Sequence, residues 1–373
     1  MSDLQNTLPF VSICTPTFNR RPFIPYTIKC IENQDYPKDK IEWIIIDDGS
    51  DKIEDLVKHL SYVKYFKYNK KMSLGEKRNL MHTKSKGEIL VYFDDDDFYP
   101  HDRVSHAVET LTNNPNALCS GSSEIFIYFK HIKKVYKFGP YGPNHATAGT
   151  FAFKRKLLEI SKYDDKAAIA EEKQFLKNYT IPFVQLDPMK TILVFSHDHN
   201  TFDKRKLLEN PHPDLVKETD KNVDLFIKDD TMRDFYMNKI DDLLKNYEPG
   251  LPNMKPDVLE QIIEIEERRR KDAESKLREI ASKNQGRIVV QNGNGESKEL
   301  SNDEILKLLR QQQSNITALT EELEKKNVII NALIQQQNNQ QNNQQNNQQN
   351  NITMDISEKR GKLSLLEQIN NIN

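Results

Sequence analysis

The chain has 373 residues, of which 36% are hydrophobic and 29% charged, and its formal net charge is -2. That length holds one large domain with extensions or two domains, and so low an apolar share predicts that part of it is not globular. Near-neutral charge excludes bulk electrostatic attraction to nucleic acid or membrane surfaces.

Cys14, Cys30 and Cys119 are the three cysteines, too few for a disulfide framework and not spaced as a cysteine metal site, which fits a reducing compartment. The longest unbroken apolar runs, Ile89–Phe93 and Ile125–Phe129, have five residues, far short of the ~20 that a membrane span needs. The opening MSDLQNTLPF has neither a basic n-region nor an adequate apolar h-region. A cytoplasmic protein with no transmembrane segment is expected.

In chain order, Val11–Thr15, Trp43–Ile46, Val63–Tyr68 and Ile89–Phe93 read as strands, separated by the helix-like stretches Phe23–Glu32, Ile53–Leu60 and Gly75–His82. Strands alternating with helices predict βαβ units and an α/β fold with a buried parallel sheet. Ser123–Lys130, Lys134–Phe138, Gly149–Phe153 and Lys190–Ser196 read as further strands appended to that sheet. Asp214–Tyr247 and the charge-dense Asp257–Ser282 read as helices, the latter with Glu264, Glu266 and Glu267 leading into Arg268–Lys271. Glycines in Asn284–Glu299 suggest a linker. Ile305, Leu309, Gln312, Ile316, Leu319, Leu323, Lys326, Ile330 and Leu333 alternate in steps of four and three, a heptad seam that predicts a coiled coil and a homo-oligomer; a single amphipathic helix lying on the globule is the other reading. Gln335–Asn351 contains only Gln and Asn and predicts a disordered tract. The domain expectation is therefore a catalytic domain at 1–202, a helical extension at 203–282, a linker at 283–300, a coiled coil at 301–334 and a low-complexity tail at 335–373.

No Gly-rich dinucleotide fingerprint, phosphate-loop Lys-Ser/Thr or His-Glu-x-x-His motif occurs. Instead, polar clusters follow three of the strands directly: Thr15-Pro16-Thr17-Phe18-Asn19-Arg20, Asp47-Asp48-Gly49-Ser50 and Asp94-Asp95-Asp96-Asp97. Ligands of open α/β sheets bind at the carboxyl ends of strands, so the three clusters predict one site. Asp47–Ser50 suits a turn with a helix cap equally well. Four adjacent carboxylates repel one another unless a cation is present, and their oxygens suit Mg2+ or Mn2+ bound together with substrate phosphates.

The order of these motifs resembles the family 2 inverting glycosyltransferases, over about Leu8 to Thr201. The residues that carry the resemblance are Pro16–Asn19, the strand Ile44–Ser50 with Asp-Asp-Gly-Ser, Gly75-Glu76-Lys77-Arg78-Asn79 and the acidic cluster. It implies a GT-A fold, a Rossmann-like and mostly parallel sheet with helices on both faces. It implies that Thr15, Pro16 and Thr17 line a nucleotide pocket, that Asp48 accepts a hydrogen bond from the base, and that Arg78 meets the nucleotide or its diphosphate. Asp94–Asp96 would be the Asp-x-Asp motif, with Asp94 and Asp95 on the nucleotide sugar and Asp96 on the metal; the fourth aspartate leaves the register open by one residue. The family's acidic pair at a helix start falls on Glu171-Glu172, with Glu172 the expected catalytic base and Glu171 its alternative. The late metal-binding histidine falls on His197, with His199 as the alternative, the two expected to share one side of a strand. Asn144–Thr150 could shape the sugar or acceptor pocket, or merely turn the chain.

The implied function is Mn2+- or Mg2+-dependent transfer of a sugar from a nucleotide-diphosphate sugar, a UDP-sugar, to a hydroxyl on a protein, glycan or lipid-linked acceptor. Two other readings compete: a nucleotidyltransferase, and a catalytically silent sugar- or nucleotide-binding module with a coiled-coil scaffold role.

Overall fold

The computed structural model describes residues 8–169, 172–209, 211–283, 288–291, 297–301, 303–319, 322–323 and 326. Strands β1 (Val11–Thr17), β2 (Ile41–Asp47), β3 (Val63–Lys67) and β4 (Ile89–Tyr92) pair in parallel, with helices α1 (Ile24–Glu32), α2 (Glu54–Val57) and α3 (Leu74–Lys84) in the crossovers. The remaining strands of this sheet are β5 (Cys119–Gly121), β8 (Ala152–Lys154) and β9 (Phe183–Gln185), in the order β3-β2-β1-β4-β8-β5-β9. Helix α4 (Arg103–Asn113) leads into β5, and α5 (Glu172–Phe175) precedes β9.

Alternation along the strands explains how both faces of the sheet are covered. Ile13, Trp43, Ile45 and Val91 enter one apolar cluster, whereas Cys14, Ile44, Ile46, Leu90 and Tyr92 enter another. A strand buried on both faces needs an unbroken apolar run, which is why β2 reads Ile-Glu-Trp-Ile-Ile-Ile-Asp and is buried throughout. The one charged interior residue, Glu42, accepts from the Ser12 hydroxyl (2.6 Å) and the Lys86 N–H (2.5 Å). The expected α/β fold with a mostly parallel sheet is what forms.

Several elements differ from expectation. β6 (Ile125–Phe129), β7 (Lys134–Phe138), β10 (Leu193–Ser196) and β11 (Val216–Glu218) make a second, four-stranded sheet in the order β10-β6-β7-β11 rather than extending the first. Residues 148–150 form a 3-10 turn, and the strand expected at Gly149 begins at Ala152. The helix expected across Asp214–Tyr247 gives way to β11 on β7 and becomes helical only at α6 (Asp230–Asp234), continuing through a π-helical turn (Phe235–Lys239) into α7 (Ile240–Lys245). Phe235 stacks on Tyr26 and Tyr236 on Phe195, so this segment packs into the main core.

Helix α8 spans Pro256–Lys283, and the chain divides after Arg270 into two compact units. In the second unit, within the segment expected as a linker, β12 (Ile288–Gln291) pairs antiparallel with β13 (Ser297–Leu300). The β-branched Ile288-Val289-Val290, followed by Asn-Gly repeats, is a hairpin signal. Residues 303–319 are helical, with the seam residues Leu309, Ile316 and Leu319 exposed. Ile330, Leu333, the Gln335–Asn351 tract and the rest of the tail lie outside the described residues. No described helix is long and apolar enough to cross a membrane. Cys14, Cys30 and Cys119 are buried free thiols.

Candidate active site

Register brings the polar clusters together. Thr17 lies opposite Asp47 and Cys14 opposite Tyr92, so β1, β2 and β4 deliver their following residues to one sheet edge. Asn19 adopts φ +54°, a left-handed conformation that asparagine tolerates. Its Oδ1 accepts from the Asp51 N–H at 2.9 Å, while its Nδ2 donates to the Pro249 carbonyl at 2.7 Å. This bend sends Arg20 back over the sheet edge. There its Nε lies 3.7 Å from Asp95 Oδ1 and 3.6 Å from Asp96 Oδ2. Its remaining nitrogens donate to the carbonyls of Gly250 and His199.

A cavity of about 320 Å³ opens at this edge, lined among others by Pro16, Phe18, Arg20, Lys77, Arg78, Asp94, Asp95, Asp96, Ala148, Gly149 and Glu172. Of the residues expected in the site, Pro16, Arg78, Asp94, Asp95, Asp96 and Glu172 thus meet there. Arg78 is buried with its guanidinium 5.0 Å from the Tyr92 ring and 5.3 Å from the Tyr163 ring. Glu172 opens α5 and accepts from the Ala148 N–H at 3.3 Å, tying that helix to the 148–150 turn. A Cβ on Gly149 would lie 2.7 Å from Asp94 Oδ2, so the glycine leaves that carboxylate room to hold its position.

Four expected residues, Thr15, Thr17, Asp48 and His197, are not among those that line the cavity. Thr15 is fully buried and its hydroxyl accepts from the Trp43 indole N–H at 2.8 Å. Thr17 is also buried, and its carbonyl accepts from Lys77 Nζ at 3.2 Å. Asp48 is enclosed by its own chain: Oδ1 accepts from Lys77 Nζ and Oδ2 from the Met72 N–H, each at 2.6 Å. It is the counter-ion of Lys77, and each of its oxygens accepts a hydrogen bond from the chain. Glu171 lies outside the described residues.

The acidic residues differ from one another. Burial, then the Asp96 charge, pushes the Asp95 carboxyl up to about 7, with Arg20 opposing. Burial also pushes Asp94 up, countered by Arg78. For Asp96 burial acts the same way but is outweighed by His197 and Arg20, which hold it well below the ordinary range. Asp97 turns away, and its Oδ1 accepts from the Phe195 N–H at 3.1 Å.

His197 and His199 follow β10 in a turn closed by Asn200 N–H to the His197 carbonyl at 3.1 Å, not on a strand. His197 is the one that reaches the acids, with Nε2 3.3 Å from Asp96 Oδ2. Asn200 Oδ1 accepts from the His197 backbone N–H, and its Nδ2 lies 2.8 Å from His197 Nε2. Burial lowers the imidazole to about 4, leaving it neutral, and the buried Nδ1 has no hydrogen-bond partner among the described residues. The ionised carboxylate is an oxygen donor that suits Mn2+ or Mg2+, and the imidazole beside it is a nitrogen donor within reach of the same ion. No group of three or more metal-ligating side chains forms among the described residues, so an ion held here would depend on substrate phosphates for further ligands.

Sequence reasoning missed Arg20, Lys77 and Lys255 as site residues. Arg20 and Lys77 lay inside quoted motifs, and their charge was the available signal. Lys255 carried none.

The family model described as Glycosyl transferase family 2 matches residues 12–168. A GalNAc(5)-diNAcBac-PP-undecaprenol beta-1,3-glucosyltransferase from Campylobacter jejuni is 34% identical over 115 residues, covering 29% of this chain and 35% of its own. A cholesterol galactosyltransferase from Borreliella burgdorferi is 32% identical over 160 residues, covering 40% of this chain and 42% of its own. The chain thus spans about two fifths or less of the length of these relatives. A solved mannosyltransferase from Pyrobaculum calidifontis, in complex with GDP-Man and Mn2+, is 17% identical with a TM-score of 0.43, covering 56% of this chain and 66% of that one. The likeness to glycosyl transferase family 2 thus rests on residues 12–168, less than half of the chain.

Proposed function

We propose that the protein transfers a sugar from a nucleotide-diphosphate sugar, a UDP-sugar, to an acceptor hydroxyl in a single inverting displacement. The observation that carries this reading is the convergence of Asp94, Asp96, Arg78 and Glu172 on one cavity at the strand ends. Glu172 takes the proton of the acceptor hydroxyl as its oxygen attacks the anomeric carbon. The bond from that carbon to the diphosphate breaks on the opposite side, and the nucleoside diphosphate leaves. Arg78, with its planar fork of donors, faces the negative charge of the diphosphate. Asp96 and His197 would hold Mn2+ or Mg2+, which supplies Lewis-acid stabilisation of that charge when bound. Holding donor and acceptor together in one cavity contributes through positioning.

The relatives' names, a glucosyltransferase and a galactosyltransferase, support hexose transfer and differ in acceptor. The exposed seam at Leu309, Ile316 and Leu319 supports self-association of the second unit as a coiled coil. Sedimentation of the full chain would show a mass above the monomer, and a monomer would remove that part of the reading.

The test of the activity is nucleotide release from a panel of UDP-, GDP- and other nucleotide sugars with Mn2+, against Asp96→Ala and Glu172→Gln. Release that EDTA and both substitutions abolish is expected. No release from any donor would sink the enzyme reading, and release unaffected by Glu172→Gln would sink only the base assignment. Release that persists in EDTA would remove the metal.

A further inference from the structure

Three lysines, two from around the start of α3 and the third from far along the chain, gather round one aromatic ring in the cavity. The ammonium groups of Lys71, Lys77 and Lys255 lie 5.4, 5.7 and 5.7 Å from the Phe18 ring centroid. Lys77 is balanced by Asp48 at 2.6 Å, and Lys71 by both oxygens of Asp257 at 2.6 Å. Lys255 donates to the Thr201 hydroxyl at 2.8 Å, and no carboxylate among the described residues lies within ion-pair distance of it. Arg20 lines the same cavity. Like charges so placed repel, and a buried cation without an anion is unstable. Burial and then Arg20 accordingly depress the Lys255 ammonium well below its ordinary value.

We infer that Lys255 is a binding residue for the two linked phosphates of the donor, brought to the pocket by chain that lies outside the family-matched region. The inference rests on the nucleotide-sugar reading above and adds to it a further segment of the site. The segment is held in place independently of any ligand. The Pro249 and Gly250 carbonyls accept from Asn19 and Arg20. Asp257 pairs with Lys71, and Gln261 accepts from the Ala168 N–H at 2.9 Å and donates to the Lys166 carbonyl at 2.7 Å. These ties fix the ends of the segment and leave the Lys255 ammonium directed at the space beside Phe18. Asp95 and Asp96 act on this ammonium only from beyond ion-pair distance, and a diphosphate there would give it a direct anionic partner through a charge-assisted hydrogen bond.

The experiment is calorimetric binding of inorganic pyrophosphate, UDP and uridine to the full chain, with and without Mn2+, for the wild type, K255M and K255R. Loss of one charge-assisted hydrogen bond corresponds to about a tenfold weakening. K255M is therefore expected to weaken pyrophosphate and UDP by about that factor and to leave uridine unchanged, whereas K255R restores most of the affinity. In parallel, acetylation of wild-type lysines, read by mass spectrometry, is expected to spare Lys255 when pyrophosphate is present. That measurement does not depend on how a variant folds. Equal pyrophosphate affinity in wild type and K255M, or acetylation of Lys255 indifferent to pyrophosphate, would overturn the assignment while leaving the donor reading intact. If the wild type binds no nucleoside diphosphate or pyrophosphate at all, both fall together.

Discussion

The acidic residues after β2 and those after β4 look alike in sequence and are used in opposite ways. Asp47 accepts from the Gly49 and Ile53 N–H groups and from the Tyr65 hydroxyl, and Asp48 accepts from Lys77 and Met72. All four of their carboxylate oxygens are engaged by the protein. Asp94, Asp95 and Asp96 instead line the cavity, their ionisation favoured by Arg78 and Arg20 and disfavoured by one another. The difference shows that an acidic pair at a strand end becomes structural when a turn and a lysine close over it. It becomes available to a ligand when only cations across a cavity face it.

The largest expected effect separates the two clusters by activity. Asp96→Asn should lower turnover about a thousandfold, the scale at which a group placed on transition-state charge contributes, with a melting temperature near that of the wild type. Turnover within tenfold of wild type would place Asp96 with Asp48 as a structural residue. The converse substitution acts on stability. Lys77 and Asp48 are a buried pair, with side chains 7% and 0% exposed, and removing one partner strands the other charge, at a cost of about 3–5 kcal/mol. Lys77→Met should therefore lower the urea midpoint strongly. An unchanged midpoint would show that Asp48 is free to serve a ligand after all.

Much of this arrangement was legible in the amino-acid pattern. The apolar runs of β1, β2 and β4 and the polar residues behind them placed three clusters on one edge, because parallel strands in register must end together. Which side chains turn into the cavity was not legible, since Thr15 belongs to Trp43 and Asp48 to Lys77 through contacts between strands and helices far apart in sequence. The second sheet was missed because β11 has only three residues, and Val216–Glu218 is a strand only by pairing with β7. Lys255 could not be found from sequence at all. It lies about 160 residues from the acids it approaches, in the Pro-rich stretch between the two expected helices, Asp214–Tyr247 and Asp257–Ser282.

A smaller effect probes the packing beneath Arg78. His82 is buried, with Nε2 2.6 Å from the Tyr92 hydroxyl, and burial first, then Arg78 and Arg155, push its imidazole from 6.5 down to about 3. Between those values the unfolded chain binds a proton that the folded one does not. Stability present above pH 6.5 is therefore lost as the pH falls through this window, by about 2 kcal/mol at pH 5. His82→Gln should flatten the fall in urea midpoint between pH 7 and 5, whatever its effect at pH 7. An unaltered slope would mean that His82 is protonated in the folded protein.

The smallest effect tests how the cavity-facing cluster is held. A Cβ on Gly149 would meet Asp94 Oδ2 at 2.7 Å, whereas one on Gly75 would meet the Asp164 carbonyl oxygen at 1.9 Å. The first obstacle is the end of a side chain, which can rotate aside; the second is backbone, which cannot move without displacing the 164–168 loop. Gly149→Ala should therefore leave the fold intact and lower kcat/KM by about tenfold, roughly 1.4 kcal/mol, because Asp94 must leave the orientation it holds opposite Arg78. Gly75→Ala should appear first in the urea midpoint. If Gly149→Ala instead destabilised the protein as much as Gly75→Ala, Asp94 would be a packed structural carboxylate, and the contrast between the clusters after β2 and β4 would narrow to Asp95 and Asp96.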